Sequence, residues 1–101
     1  MIARLWRGST PDAKADAYHA FLLETGVKDY RATPGNQGVW LLRRSLEGRT
    51  EFLLISLWES EEAIRRFAGD DISKAFYYPE DPDYLLEMVP EVEHFEVALR
   101  A

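Results

Sequence analysis

The chain has 101 residues, 47% apolar and 30% charged, enough for one compact domain and too few for a multi-domain enzyme. Twelve basic against 18 acidic side chains leave a formal charge of -6, the wrong sign for a protein that binds by neutralising phosphates, so no nucleic-acid partner is expected. With no cysteine, disulfides, thiolate metal sites and a Cys nucleophile are excluded.

Residues 2–8 read as a short strand ending at Gly8, and Ser9-Thr10-Pro11-Asp12 as a helix start with Thr10 as cap. The arginines at 4 and 7 fall where a signal peptide would need an apolar run. They predict no export signal and a cytoplasmic setting, and the uncharged runs are too short to span a membrane. Ala17, Tyr18, Phe21 and Leu22 recur near a 3.6-residue period up to Gly26, and residues 27–35 read as irregular. Residues 38–45 and 51–58 flank the turn Leu46-Glu47-Gly48-Arg49, a hairpin signal. Ser60 followed by Glu61 and Glu62 opens a second helix, with Ala63, Ile64, Phe67 and Ala68 inward and Gly69 at its end. A helical turn is predicted over 72–77, a proline-broken connection with one turn of helix at 83–87 follows, and the final strand covers 92–99.

The order strand, helix, strand, strand, helix, strand is the split βαβ arrangement: an α+β, ferredoxin-like βαββαβ domain with a four-stranded antiparallel sheet and both helices on one face, spanning 1–101 as a single unit. Val39-Trp40-Leu41-Leu42 and Phe52-Leu53-Leu54-Ile55 are apolar at both parities, as in strands covered on both sides. Two helices cover one side only, so a homodimer that pairs sheet faces is expected.

Strand parity places Ile2, Arg4 and Trp6 on one face and Val92, His94 and Glu96 on one face of the last strand. If these share a side, Arg4 and Glu96 form a pair with His94 nearby, and the shared side lines either a cleft or the seam between two copies. Acidity is uneven: residues 59–96 carry 12 acidic and 3 basic groups, whereas 1–58 carry 6 and 8. This pattern suits a neutral aromatic ligand better than an anionic one. Glu80-Asp81-Asp83 lacks calcium-loop spacing, and no metal site is expected. His19 is read as facing solvent, without a role.

The segment Ile55-Ser56-Leu57-Trp58-Glu59-Ser60-Glu61-Glu62-Ala63-Ile64, with Phe67 and Ile72-Ser73-Lys74-Ala75-Phe76 behind it, resembles the antibiotic biosynthesis monooxygenase family. The resemblance implies a ferredoxin-like dimeric α/β barrel. It also implies an oxidoreductase activity, that of a monooxygenase working without a cofactor on a small aromatic phenol or quinol. The alternatives are a non-catalytic dimeric domain for a small hydrophobic ligand or partner, and a haem binder. In the haem-degrading branch, Trp58 matches the tryptophan that lies against the macrocycle. The ligating histidine's place reads Phe76-Tyr77-Tyr78, and the branch's first-strand asparagine is missing, Asn36 being the only one. Haem is thereby disfavoured, with Tyr77 as the one substitute ligand.

Oxygenation of an electron-rich phenol asks for aromatic walls, one proton-transfer group and stabilisation of an oxyanion. The residue types present assign Trp58, Tyr77 and His94 as catalytic candidates and Arg4, Trp6 and Tyr78 as substrate-binding candidates. Each also has a packing role open to it: Trp58 as a core residue under the following helix, and Tyr77-Tyr78-Pro79 as a loop packed over the sheet edge.

Overall fold

A computed structural model of the chain describes residues 1–101 and carries the expected order with its first helix in two pieces. Strand β1 (Ile2–Pro11) passes through a 3₁₀ turn (Asp12–Lys14) into helices α1 (Ala15–Glu24) and α2 (Gly26–Ala32). The hairpin β2 (Asn36–Leu46) and β3 (Arg49–Trp58) leads to α3 (Glu61–Ala68), and a long strap containing a second 3₁₀ turn (Asp81–Asp83) returns to β4 (Glu93–Glu96). The sheet is antiparallel in the order β2-β3-β1-β4, the ferredoxin-like topology.

Local chemistry explains most boundaries. Glu47 and Gly48 both take positive φ, 53° and 85°, giving the hairpin turn whose twist matches its strands. Ser60 Oγ accepts a hydrogen bond from the Ala63 N–H at 3.1 Å, and α3 ends at Gly69 with φ 89°.

Several sequence expectations give way to tertiary contacts. β1 does not end at Gly8, because its residues pair with β3 as far as Pro11 opposite Arg49. Thr10 is therefore a buried strand residue rather than a cap, and Asp12 accepts the Thr50 hydroxyl at 2.7 Å. Gly8 is required by packing, since a Cβ there would sit 2.5 Å from the Trp6 ring. The first helix does end beside Gly26, at Glu24 with Thr25 as its cap, but residues 27–35 are not all irregular: α2 continues to Ala32 because Gly26 and Tyr30 bury against the core. Residues 72–77 form no helix: Ile72 and Ser73 make a turn, Lys74 bridges to Glu91, and Ala75 N–H to Pro90 O and Val92 N–H to Ser73 O, both at 2.9 Å, bond the segment to the approach of β4. The turn predicted over 83–87 closes earlier, at Asp81–Asp83, and β4 stops at Glu96 because β1 offers partners only from Ile2 to Leu5.

One sheet face carries the core. Thr50, Phe52, Leu54, Ser56 and Trp58 alternate inward along β3 and meet Trp6 with Tyr18, Leu22, Tyr30, Ala63 and Ile64 from the helices. The opposite face is apolar and open: Trp40, Leu42 and Phe95 are 49%, 46% and 52% exposed. No helix is long and apolar enough to cross a membrane.

Candidate functional site

The register sets Arg4 opposite His94, so the two parity sets do share a side, and it is the helix-covered one. Arg4 is buried. Its Nη1 donates to Ile72 O at 2.5 Å and lies 3.0 Å from His94 Nε2, while Nη2 donates to Lys74 O at 3.1 Å. A guanidinium can only donate, so Nε2 is the acceptor and the imidazole is neutral with its proton on Nδ1. Burial, then the positive charge of Arg4, push His94 below its ordinary pKa. The Arg4–Glu96 pair does not form: Glu96 stands opposite Ile2 and is exposed. Arg4 instead stitches β1 to the strap through carbonyls.

Above this stitch, between the sheet and the helices, lies a cavity of about 20 Å³. Trp6 and Leu54 form its floor, Tyr18, Leu22, Gly26 and Tyr30 come from α1 and α2, Phe67 from α3, and Phe76, Tyr78 and Asp81 from the strap. Asp81 is the sole charged side chain of the lining and is only 3% exposed. Its Oδ1 accepts from the Tyr18 hydroxyl at 2.8 Å and its Oδ2 from the Tyr78 N–H at 2.6 Å. Burial raises the carboxyl's pKa, opposed by those two donors and reinforced by Glu80. Tyr18 is pushed far above the usual phenol range by burial and then by Asp81. Tyr78 is pushed up by burial and by Asp29, which accepts its hydroxyl hydrogen bond. Both tyrosines are neutral donors.

The structure brings two of the six expected residues to this cavity, Trp6 and Tyr78. Trp58 is fully buried under α3, its indole N–H donating to Ser56 Oγ at 2.8 Å and its ring edge-on to Tyr30. Tyr77 packs edge-on to Trp6 and gives its hydroxyl to Val89 O at 2.5 Å, so it does not present an oxygen for haem iron. Arg4 and His94 sit beside the cavity without lining it. His19 is half-buried rather than solvent-facing, with Nδ1 3.3 Å from Arg43 Nη1. Sequence reasoning missed Tyr18, Tyr30 and Asp81. Tyr18 carried a signal, its place on the apolar stripe of the first helix, whereas Asp81 looked like part of a surface acid cluster.

A larger hollow of about 420 Å³ opens at the hairpin end of the sheet, among Arg7, Arg44, Arg49, Glu51 and Leu53. Its charges already answer one another, Arg44 to Glu51 at 2.7 Å and Arg49 to Glu51 at 3.7 Å, and its side chains are largely exposed. The smaller recess, where aromatic and aliphatic side chains surround the buried Asp81, is the better chemical site. No group of three or more His, Cys, Asp or Glu is arranged to hold a metal.

An antiparallel split βαβ sheet, helices on one face and an aromatic recess beneath them define a ferredoxin-like α+β domain. The chain belongs to the antibiotic biosynthesis monooxygenase family, whose model matches residues 1–77. Tyr78 and Asp81 lie beyond the matched stretch. No curated protein matches the chain. Among solved structures it is similar to a Nitrosomonas europaea protein assigned to the antibiotic biosynthesis monooxygenases, at 14% identity over 98% of this chain and 100% of that one, TM-score 0.71. Rv0793 from Mycobacterium tuberculosis is 19% identical, with 99% and 97% covered and a TM-score of 0.67. The haem-degrader MhuD of the same organism, solved with two haems in its active site, is 19% identical, with 100% and 99% covered and a TM-score of 0.61. At such identities the likeness is one of fold.

Proposed function

We propose that this protein is a cofactor-independent monooxygenase of a small aromatic phenol or quinol, acting as a homodimer joined through the open sheet faces. The observation that carries the reading is the part-open aromatic recess with one buried carboxylate, in a chain of the monooxygenase family. A phenol or its keto tautomer that loses a proton becomes an electron-rich anion able to pass an electron to dioxygen. With an anthrone, one oxygen atom becomes a carbonyl at the ring CH₂ and the other leaves as water with both hydrogens, so the substrate supplies every electron. The protein needs only to hold the ring, accept the proton and exclude water.

At about 20 Å³ the cavity holds no more than a water molecule. A ring therefore enters by displacing Phe76 and Tyr78 of the strap, which cover it opposite the sheet. The second copy covers Trp40, Leu42 and Phe95, an apolar surface that a lone domain would leave wet.

Dioxygen uptake with anthrone and a panel of hydroquinones tests the reading. Uptake well above the uncatalysed rate is expected. Tight binding of these compounds without turnover would make the protein a binding domain, and a one-to-one change in haem absorbance on titration would favour the haem reading instead.

A further inference from the structure

We infer that Asp81 is the proton acceptor of the cavity, held for that task by Tyr18, and that the site takes a neutral aromatic molecule with one ionisable hydroxyl and one further oxygen acceptor. The inference rests on the cavity being the substrate site. Three observations carry it. Asp81 is the sole charged group of an otherwise aromatic and aliphatic lining. Its two oxygens each accept one hydrogen bond, from Tyr18 and from the Tyr78 N–H, and an ionised carboxylate has room for about four, so acceptor capacity remains. Trp6, in the same lining and 5% exposed, has an indole N–H that meets no acceptor in good hydrogen-bond geometry, with the Tyr77 side chain beside it.

A buried donor without a partner is costly, and so is a carboxylate short of hydrogen bonds in an apolar wall. One ligand relieves both: its O–H donates to Asp81, and an oxygen lone pair accepts from Trp6. An anionic ligand would meet the like charge of Asp81, and an ether would offer it no donor. In the proton step the ligand's O–H bond breaks, its electron pair stays on the ligand oxygen, and a new O–H bond forms on Asp81. Negative charge moves from carboxylate to ring, and no oxidant or reductant is consumed. Tyr18 is a positioning residue. Its hydroxyl donates to Oδ1 and holds Asp81 against α1 while the side chains of Phe76 and Tyr78 move aside for the ring. The titratable groups around Asp81 are Tyr18 from α1, Tyr30 from α2, and Tyr77, Tyr78 and Glu80 from the strap.

The test is calorimetric titration with 1-naphthol and with 1-methoxynaphthalene, from acidic to neutral pH, on wild type, Asp81→Asn and Tyr18→Phe. Wild type should prefer the naphthol by about tenfold at neutral pH, the preference fading as acid protonates Asp81. Asp81→Asn can still accept from the Tyr78 N–H through its amide oxygen and donate its NH₂ to the Tyr18 oxygen, and should bind the two compounds with a ratio that no longer changes with pH. Tyr18→Phe removes a donor to the carboxylate and should move the midpoint of the preference to higher pH. A wild type that binds no naphthol, an Asp81→Asn variant with the wild-type pH dependence, or an unmoved midpoint in Tyr18→Phe overturns the inference. Should Asp81→Asn fail to fold, the Tyr18→Phe midpoint decides alone. Oxygen uptake, measured separately, distinguishes the two claims. Discrimination without turnover removes the oxygenase and leaves Asp81 as the hydroxyl acceptor. Turnover that survives Asp81→Asn with its pH profile intact removes Asp81 and leaves the oxygenase.

Discussion

Arg4 and His94 meet across β1 and β4 with 3.0 Å between Nη1 and Nε2, a guanidinium donating to a neutral imidazole in a buried place with no carboxylate to share. The pairing sets the sign of a pH effect. A histidine whose folded pKa is depressed binds fewer protons folded than unfolded, so its stability contribution is whole above the ordinary value of about 6.5 and is lost as pH falls through it. Urea midpoints should therefore drop between neutral pH and about pH 5.5. His94→Gln, which keeps an acceptor that does not titrate, should show a shallower drop.

Arg4 itself predicts a larger effect. Arg4→Lys retains charge but cannot reach Ile72 O, Lys74 O and His94 Nε2 in one planar fork, so at least one buried acceptor goes without a partner. The expected loss is about 1–3 kcal/mol, read from equilibrium unfolding. An unchanged midpoint would show that the carbonyls of the strap are satisfied some other way.

Trp58→Phe should act on stability and leave catalysis alone. The indole is fully buried, touches Tyr30 and Phe67, and gives its N–H to Ser56, yet does not line the cavity. The smaller ring leaves a void and strands the Ser56 hydroxyl, for about 1–3 kcal/mol. Where both proteins are fully folded, oxygen uptake should have the same KM and nearly the same kcat. A large fall in kcat alone would place the indole against the substrate.

The elements legible in the sequence are those whose causes are local. The Glu47-Gly48 turn needs only two residues at positive φ, and the start of α3 only a serine three residues before Ala63. Parity grouped Arg4 with Trp6 along β1 and His94 with Val92 along the final strand, because alternation is a property of each strand alone, while only the register shows that the two groups share a side. Hidden features depend on distant partners. Thr10 resembles a cap until Thr50 lies opposite it, and residues 27–32 resemble a loop until Tyr30 has a core to enter. Asp81 shares its neighbourhood with Glu80 and Asp83, and only the return of the strap beneath α1, 63 residues from Tyr18, separates the buried acid from its exposed neighbours.

The open sheet face predicts the state of assembly. Sedimentation at micromolar concentration should give twice 11.7 kDa, and Leu42→Glu or Trp40→Glu should convert that species to the single chain. Both side chains already contact water in the lone domain and neither belongs to the core cluster, so the substitutions should leave the fold's circular dichroism unchanged. A single-chain mass for the wild type would contradict the dimer.

Tyr78 predicts how the cavity opens. Its hydroxyl bonds the Asp29 carboxylate on α2, its backbone N–H bonds Asp81, and its ring stands edge-on to Phe76 and Phe21. Removing the hydroxyl in Tyr78→Phe deletes the tie to α2 and keeps the ring and the backbone bond to Asp81. Because a charge-assisted hydrogen bond contributes about 1.5–3 kcal/mol at most and this one is partly exposed, the opened strap should become roughly several-fold more populated. If entry waits on that opening, 1-naphthol should associate faster with Tyr78→Phe than with wild type in stopped-flow mixing, by a similar factor. An association rate equal to that of the wild type would mean that the ring enters by another path, past Phe67 and α3.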